Sequence, residues 1–405
     1  MRRLLTLVVA LLAAWPASAQ QDAKRYIIGF KPQATAAQRE AALSRFGAAL
    51  LDSVEELNFL VADLPGDAQV QALSDSELAD LQIAHIEEDV YTNWLMGAEP
   101  SFLAAPLPNW SDVRAVVGKF ERRSAEFNPP PAGVDAAEVP WGIRRVNAPA
   151  AWAVSEGAGA RVAVIDTGID ANHPDLAGRV AGGYNAIDAR KPYFDDNVHG
   201  THVAGTIAAR RDGKGVVGVA PQAALFAVKV LDKSASGNLS SIIKGIVWCA
   251  KNNIQVANMS LGSPSGSVFL RLAVKYAASK GVAVIAAAGN SGGHVGYPAG
   301  YEDTIAVAAS DEQDHIAQFS SRGPRVEFIA PGVGVNSTEP GGRYGVHSGT
   351  SMATPHVTGL AALAVSRGAR GLQGIRAALA KAAKPIWLKP GEQGRGMIDA
   401  ALLAR

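Results

Sequence analysis

A serine at the start of a predicted helix is the residue best placed to do chemistry in this chain. Ser351 lies in the segment Gly349-Thr350-Ser351-Met352-Ala353, which leads into a run of small and apolar residues. Gly349 allows a close backbone approach, and Thr350 can cap the helix. The free N–H groups and the positive end of the helix dipole then lie beside the Ser351 hydroxyl and favour an oxyanion there. Serine alone is a weak nucleophile, so this interpretation needs a base and an orienting acid elsewhere.

Candidates for both occur upstream, each beside glycines. Asp166 ends an apolar run and precedes Thr167-Gly168, and His199 opens a small-residue helical stretch. A histidine suits proton transfer because its ordinary pKa lies near neutrality. The chain order acid, base, serine differs from the order in chymotrypsin-like and α/β-hydrolase chains. His202 follows three residues after His199 on the same helical face, so spacing alone leaves both histidines open as the base.

These segments, together with Ala286-Ala287-Ala288-Gly289-Asn290, resemble those of the subtilisin-like serine proteases, the subtilases. The resemblance extends from about residue 139 to the C-terminus. It implies that Ser351 is the nucleophile, His199 the general base and acid, and Asp166 the residue that orients the imidazole. It further implies that Asn290 and the Ser351 backbone N–H bind the oxyanion.

The resemblance also implies where a peptide substrate binds. Two walls of the specificity pocket correspond to Ser260-Leu261-Gly262 and Ala287-Ala288-Gly289, whose backbone is expected to pair with an extended peptide. Gly296 corresponds to the pocket floor, and its lack of a side chain predicts a deep apolar pocket that prefers large hydrophobic P1 residues. Ser236-Gly237 is expected to line a more distant subsite, with an ordinary loop as the alternative.

A structural calcium ion is also implied, because Asp175 and Asp212 match two oxygen ligands of the family's calcium site. Calcium needs six or more oxygen ligands. Ala137 occupies a position where a side-chain ligand is expected, and Lys214 places a cation beside the site. A surface turn with an aspartate is the alternative interpretation. The catalytic chemistry itself requires no cofactor.

Composition places the chain among exported globular proteins. Its 405 residues are 48% hydrophobic and carry a net charge of +1, which gives no reason to expect nucleic acid or an anionic membrane as a partner. Arg2 and Arg3 precede an apolar stretch, and Ala17-Ser18-Ala19 fits a signal-peptidase site, so residues 1–19 are predicted to be a signal peptide. The mature protein is then secreted or periplasmic, with no stable membrane anchor. The single cysteine, Cys249, excludes an internal disulfide and is predicted to be a buried apolar residue.

Residues 20–96 are predicted to form a small α+β domain of the ferredoxin-like kind. The predicted elements are a strand over Arg25–Phe30, a helix over Thr35–Phe46 that stops at Gly47, an extended run over Leu57–Leu64, a helix over Asp67–Leu81 and an extended run over Ile83–Tyr91. The domain resembles the subtilase propeptide, including Ile86-Glu87-Glu88-Asp89 near its end. The resemblance implies that it assists folding and acts as an intramolecular inhibitor.

Residues 97–138 are rich in proline and are predicted to be a linker with a short helix over 111–124. The position of the acidic motif favours processing after Leu95 or Met96. A second cleavage near Val134–Glu138 stays open as an alternative.

Residues 139–405 are predicted to form an α/β domain with a mainly parallel sheet covered by helices on both faces. The apolar runs typical of such strands are Arg161–Ile165, Ala224–Leu231, Ile254–Ser260, Val282–Ala287 and Thr304–Ala309. Asp166, Ser260 and Asn290 lie at or just beyond the C-terminal ends of three of these strands, where open α/β sheets place their sites.

The resulting hypothesis is an exported serine endopeptidase that works through an acyl-enzyme and processes itself from an inhibited precursor. Its substrates are proteins or peptides. Two alternatives belong to other classes: a catalytically inactive protein that holds peptides in the cleft, and a serine hydrolase that acts on esters.

Overall fold

The computed structural model describes residues 23–65, 70, 73–95 and 137–404. The predicted signal peptide, Met96 and nearly all of the predicted linker lie outside the described residues. The chain divides into two compact units, of which the first contains Met1–Tyr91 with Asn238–Ser240 and the second contains Thr92–Gly237 with Ser241–Arg405. Within the described part of the chain, no helix combines the length and the apolar character that crossing a bilayer requires.

The first unit is a four-stranded antiparallel sheet with two helices. Its elements in chain order are β1 (Lys24–Phe30), α1 (Ala36–Arg45), β2 (Ala49–Val54), β3 (Phe59–Leu64), α2 (Asp75–Asp80) and β4 (Ile83–Glu88). The strand order β2-β3-β1-β4 places β1 between β3 and β4. Buried side chains such as Ile28, Phe30, Leu60, Leu64 and Ile83 form its core.

Local sequence signals explain where these helices begin. Thr35 caps α1 in a capping box with Gln38, and Gly47 follows the helix with a φ of +60°, as a glycine stop requires. The predicted helix over residues 67–81 falls partly on residues 67–69, 71 and 72, which lie outside the described residues. Leu73 and Ser74 precede the helix, and α2 begins after Ser74, which forms its own capping box with Glu77. The strand β2 was not predicted, because its burial pattern lacks the alternation of a half-buried strand.

The second unit contains a nine-stranded sheet with helices. The strands that follow β4 along the chain, nine of which form this sheet, are β5 (Tyr91–Asn93), β6 (Arg161–Asp166), β7 (Val180–Asn185), β8 (Ala224–Lys229), β9 (Ser236–Asn238), β10 (Val256–Met259), β11 (Ala283–Ala287), β12 (Thr304–Ser310), β13 (Val326–Pro331), β14 (Val335–Glu339), β15 (Arg343–His347), β16 (Ala383–Lys384) and β17 (Met397–Ile398). The helices that follow α2 are α3 (Trp141–Arg145), α4 (Ala148–Ala151), α5 (His199–Ala208), α6 (Leu239–Lys251), α7 (Val268–Ser279), α8 (Thr350–Ser366), α9 (Gly371–Lys381) and α10 (Pro390–Gln393).

The main sheet has the order β16-β17-β13-β12-β11-β10-β6-β8-β7. All neighbouring pairs from β17 to β7 are parallel, and only β16 is antiparallel. The predicted mainly parallel α/β fold is therefore confirmed. The strands β11, β10 and β6 are adjacent, so the positions after their C-terminal ends share one edge of the sheet.

The five strands predicted from apolar runs are all present, with ends that differ by at most two residues. The strand β7 was missed because its sequence, Val-Ala-Gly-Gly-Tyr-Asn, contains two glycines. A glycine is needed at Gly183, where a Cβ would lie 2.2 Å from the Ala227 carbonyl of the neighbouring strand.

The helix α8, which carries Ser351, passes through the core of the unit. Its residues 350–365 are all buried, as expected for a helix that is apolar all round. Gly359 lets it approach the chain at Val219, because a Cβ at Gly359 would lie 2.4 Å from the Val219 Cβ. A helix fixed on every side holds its first turn, and therefore Ser351, in one position.

Candidate active site

The structure brings Asp166 and His199 together. Asp166 is the last residue of β6 and His199 the first residue of α5, and the Nδ1–H of His199 donates to Asp166 Oδ1 at 2.8 Å. The next residue, Gly200, allows this contact, since a Cβ there would lie 2.1 Å from the Gly168 carbonyl oxygen. Only a glycine lets the start of α5 approach the turn after β6 so closely.

Charge around the imidazole favours its protonated form. Burial disfavours the imidazolium, but the charge and hydrogen bond of Asp166, aided by the charge of Asp195, outweigh burial and raise the pKa of His199. An imidazole with a raised pKa is a stronger base.

The second histidine, His202, has a different environment. Its Nε2–H donates to the carbonyl oxygens of Val335 and Gly345, each at 3.1 Å. Burial, followed by the charges of His347 and His199, lowers the pKa of His202 to about 3. His202 is therefore neutral and bonded to carbonyl groups, whereas His199 is paired with a carboxylate.

Ser351 occupies the first turn of α8 and is linked to Ser260, the residue that follows β10. The Ser351 hydroxyl donates to the Ser260 carbonyl at 3.0 Å, and the Ser260 hydroxyl donates to the Ser351 carbonyl at 2.8 Å. His199 Nε2 is buried and has no hydrogen-bond partner within the described residues. The Ser351 hydroxyl therefore donates to the Ser260 carbonyl and not to His199, and active-site hydrogen bonds commonly tighten only when substrate binds.

Two N–H groups converge near Gly349. Asn290 Oδ1 accepts hydrogen bonds from Thr350 N at 2.8 Å and from Thr350 Oγ1 at 2.9 Å, which fixes the orientation of the Asn290 amide. A Cβ built on Gly349 would lie 3.6 Å from both Asn290 Nδ2 and Ser351 N. Gly349 therefore leaves open the space between two donors, as an oxyanion site requires.

The prediction that Thr350 caps the helix is wrong in detail. Gly349 is the N-cap residue and makes no side-chain cap, whereas Thr350 is the first helical residue. Its hydroxyl donates to Asn290 and accepts from Gly289 N at 3.2 Å. Thr350 therefore couples the start of α8 to the segment that carries Asn290.

The residues predicted to form the specificity pocket lie close together. Gly296 N donates to the Ala288 carbonyl at 2.9 Å, and a Cβ on Gly296 would lie 2.9 Å from the Ser263 carbonyl oxygen. Ser263 and Tyr297 exchange two backbone hydrogen bonds of 2.8 Å, which join the strand end after Leu261-Gly262 to the loop after Gly289. Gly296 thus lies between the two predicted walls, where a larger residue would collide with backbone.

An extended segment of this chain lies along the same walls. Trp94 N donates to the Ala235 carbonyl at 3.1 Å, and Gly262 N donates to the Trp94 carbonyl at 2.9 Å. The buried Trp94 side chain donates from Nε1 to the Gly237 carbonyl at 2.9 Å. The backbone of Ala235, Gly237 and Gly262 therefore holds Trp94 from two sides, and Ala235 is a contact that the sequence did not suggest.

The carboxylate of Asp175, a predicted calcium ligand, already has partners. Its Oδ2 accepts a hydrogen bond from Val216 N at 2.9 Å, and the Tyr344 hydroxyl also bonds to it. Burial, together with this bond and the nearby charge of Asp175, raises the pKa of Tyr344 to about 12. The Asp175 carboxylate and the Tyr344 hydroxyl are therefore direct neighbours.

The loop that carries Asp212 is held in a similar way. Asp212 pairs with Arg210 at 3.2 Å, and its backbone N–H donates to the buried carboxylate of Glu138 at 2.8 Å. Burial raises the pKa of Glu138, although the backbone N–H groups of Asp212 and Gly213 oppose the shift. No cluster of three or more histidine, cysteine, aspartate or glutamate side chains suited to a metal occurs in the described parts of the chain. The carboxylates of Asp175 and Asp212 thus bond to Val216, Tyr344 and Arg210.

Cys249 matches its predicted role. It is fully buried in α6, and burial raises the pKa of its thiol, which favours the unreactive protonated form.

Comparison with known proteins agrees with this geometry. Residues 157–394 match the Subtilase family. A thermostable alkaline protease of Halalkalibacterium halodurans is 42% identical over 365 residues, which cover 90% of this chain and 87% of that protein. Subtilisin E of Bacillus subtilis is 40% identical over 372 residues (89% and 85%), and the M-protease of Shouchella clausii is 41% identical over 352 residues (86% and 83%).

The family match covers more than half of the chain, and these relatives align over most of their own length as well as most of this one. The matched region contains both members of the Asp166–His199 pair and the converging donors beside Ser351. The chain therefore belongs to the Subtilase family of subtilisin-like serine peptidases.

Proposed function

We propose that this protein is an exported serine endopeptidase in which Asp166, His199 and Ser351 are the catalytic residues and Asn290 is the oxyanion donor. The observation that carries the proposal is the Asp166–His199 hydrogen bond at the same sheet edge as two N–H groups that converge beside Ser351. An acid–base pair and a prepared anion site are the two features that acyl transfer needs.

The contacts suggest the sequence of events. With Nδ1–H donated to Asp166, the Nε2 lone pair of His199 is free to accept the Ser351 proton. The serine oxygen attacks the substrate carbonyl, and the resulting oxyanion accepts hydrogen bonds from Asn290 Nδ2 and Ser351 N. The imidazolium then protonates the leaving amine, and an acyl-enzyme remains. Water, deprotonated by His199, releases the second product and restores the serine.

The substrate binds as an added strand between the backbone of Ala235–Gly237 and that of Gly262. The residue before the cleaved bond enters a pocket between Ser260-Leu261-Gly262 and Ala288-Gly289, with Gly296 at its floor. Because Gly296 has no side chain, we propose that the pocket takes large apolar P1 residues.

The N-terminal part of the chain has its own proposed roles. Residues 1–19 direct export, residues 20–96 form an inhibitory propeptide, residues 97–138 are a linker, and residues 139–405 are the catalytic domain. Trp94 contacts both backbone edges of the groove, which supports self-processing after the next residue, Leu95. Leucine also suits the proposed P1 preference.

The test is to purify the full-length chain and its Ser351→Ala variant, with Ser348→Ala as the matched control. Wild type and Ser348→Ala should release an N-terminal fragment and react with a fluorophosphonate probe. Ser351→Ala should stay full length and unlabelled. Equal maturation of all three would refute self-processing, and N-terminal sequencing of the product gives the cleavage site.

Two different measurements exclude the two alternatives, an inactive peptide-binding protein and an esterase. A peptide-binding protein without activity would leave Ser351 unlabelled in the mature chain. An esterase would hydrolyse short nitrophenyl esters but leave casein intact. We expect labelling at Ser351 and cleavage of casein.

A further inference from the structure

A second carboxylate, Asp195, lies near the Asp166–His199 pair. Its side chain is only 1% exposed. It accepts hydrogen bonds from Thr167 Oγ1 at 2.9 Å, Thr201 Oγ1 at 2.6 Å and Thr201 N at 2.9 Å. A fourth comes from Asn197 N at 3.0 Å. Four donors around one buried carboxylate fix its position and orientation.

Thr167 connects this carboxylate to both members of the pair. Its hydroxyl donates to Asp195 and accepts from Gly200 N at 2.9 Å. Thr167 directly follows Asp166 in the chain, and Gly200 directly follows His199. One hydroxyl therefore joins the backbone beside the acid to the backbone beside the base.

Asp195 also completes the start of α5. The residue at the N-cap position, Val198, makes no side-chain cap, so the first N–H groups of the helix need other partners. Asp195 accepts one of them from Thr201 N, and Asn197 Oδ1 accepts another from His199 N at 3.2 Å. A carboxylate at this end also complements the helix dipole.

We propose that Asp195 is a positioning residue of the hydrolytic reaction. Through Thr167 and Thr201 it fixes the His199 ring against Asp166, and its negative charge stabilises the imidazolium that forms when Ser351 loses its proton. The inference rests on the function proposed above and adds a fifth residue to the four that the family resemblance suggested. The signal in the sequence is an acid four residues before the histidine.

The charges near the imidazole agree with this role. Asp166 and Asp195 are the two carboxylates whose charges raise the pKa of His199. The other titratable group on this face of α5 is His202, one turn further along, whose own pKa is lowered. The buried Lys229 ammonium binds the Thr167 carbonyl at 2.6 Å and Asp196 at 2.7 Å, so it partners Asp196 rather than Asp195.

The first test compares mature wild type with Asp195→Asn, which keeps the size of the side chain but removes its charge. We expect kcat to fall about 10- to 100-fold, the range found for outer-shell partners that orient metal-binding histidines. KM should stay within about twofold, because Asp195 makes no contact with the substrate-binding backbone edges. The acid limb of the kcat/KM profile should move to lower pH, because an imidazole with one fewer carboxylate nearby has a lower pKa.

Asp188→Asn, which removes a charge from an exposed loop, is the matched control and should change none of these values.

The second test separates the hydroxyl bridge from the charge. Thr167→Val removes the hydroxyl with little change in volume, so kcat should fall while the acid limb stays in place, because Asp195 keeps its charge. Thr167→Ser retains the hydroxyl and should keep kcat within about twofold of wild type.

Three outcomes would overturn the inference. In the first, Asp195→Asn changes neither kcat nor the acid limb of the kcat/KM profile. In the second, Asp195→Asn lowers kcat but does not move the acid limb, which would mean that Asp195 is only structural. If Asp195→Asn does not fold, the Thr167 pair decides, and equal kcat for Thr167→Val and wild type refutes the bridge. Wild type that fails to cleave peptides in the same assay would instead refute the proposed function.

Discussion

His199 and His202 lie three residues apart on the same helix, yet their surroundings change their pKa values in opposite directions. Both are buried, and burial alone lowers the pKa of a histidine. His199 faces Asp166 and Asp195, and its pKa is raised. His202 faces two carbonyl oxygens and the ring of His347, whose centroid lies 4.7 Å away, and its pKa is lowered to about 3.

The difference shows that the neighbours of a histidine, rather than its own position in a motif, decide its chemistry. The carboxylates reach His199 because it is the first residue of α5 and lies opposite the end of β6. One turn later the same face of the helix meets the β14–β15 hairpin, which offers carbonyl groups. A histidine paired with carboxylates therefore lies at the helix start, and a neutral histidine bonded to carbonyl groups lies one turn later.

The largest expected effect comes from replacing each histidine in turn. His199→Gln should lower kcat about a millionfold, which is the loss that subtilisin, a member of this family, shows for its own histidine. His202→Gln retains a side-chain N–H for the two carbonyl groups and should keep kcat within about tenfold of wild type. Single-turnover hydrolysis of a peptide ester measures both. Comparable losses in the two variants would contradict the assignment of roles.

Removing the oxyanion donor should give a smaller and different loss. For Asn290→Leu we expect kcat to fall about 100- to 1000-fold, the range known for the corresponding donor in subtilisin. Because Asn290 does not face the imidazole, the acid limb of the pH profile should stay where it is in wild type. A shifted limb would mean that Asn290 affects His199, and the separation of the two functions would be wrong.

The pH dependence of stability tests the two histidines whose pKa values are lowered by burial. His202 and His356 have folded pKa values of about 3 and about 4, the latter lowered by burial. Below the unfolded value near 6.5 the unfolded state binds more protons, so lowering the pH reduces the free energy of unfolding. Each histidine contributes about 1.4 kcal/mol per pH unit until its folded pKa is reached. His199 opposes this trend, because its raised pKa gives a contribution that is present below the unfolded pKa and lost as pH rises through the folded value.

The measurement is guanidinium unfolding of the full-length chain in an inactive Ser351→Ala background, at pH 7 and pH 5. His356→Gln should reduce the loss of unfolding free energy between pH 7 and pH 5 by the contribution of one histidine. His315→Gln, which replaces an exposed histidine, should leave this loss unchanged. A loss that is the same with and without His356 would show that carboxylates alone cause the acid sensitivity.

Sequence patterns predict this molecule best where one local property decides the outcome. The continuous apolar runs predicted five parallel strands correctly, because a strand that is buried on both faces is apolar at nearly every position. Asp166, Ser260 and Asn290 follow from the ends of those strands. In contrast, β2 and β7 lack a clear pattern, and the short helix α2 depends on its own capping box at Ser74.

What the sequence does not contain is which partner each polar group finds. The Ser351 hydroxyl bonds to a carbonyl 91 positions earlier, and the Asp175 carboxylate bonds to Val216 and Tyr344. Asp195 gains its role from Thr167 and Thr201, which come together only when α5 packs against β6. Contacts of this range are set by packing, and no spacing rule in one sequence encodes them.

The smallest expected effect concerns Asp175, the carboxylate that contrasts most with Asp166. Asp166 accepts from the imidazole of His199, whereas Asp175 accepts from the Val216 N–H and the Tyr344 hydroxyl. We therefore expect excess EDTA to leave the melting temperature of the mature protein unchanged. Tyr344→Phe should destabilise the mature protein by about 1 kcal/mol through the lost hydrogen bond, and Glu138→Gln by a similar amount.

A ligand that binds only the folded state raises stability by mass action. A melting temperature that rises when calcium is added back after EDTA would therefore show that Asp175 and Asp212 exchange their protein partners for the ion, and the contrast between the two carboxylates would be wrong.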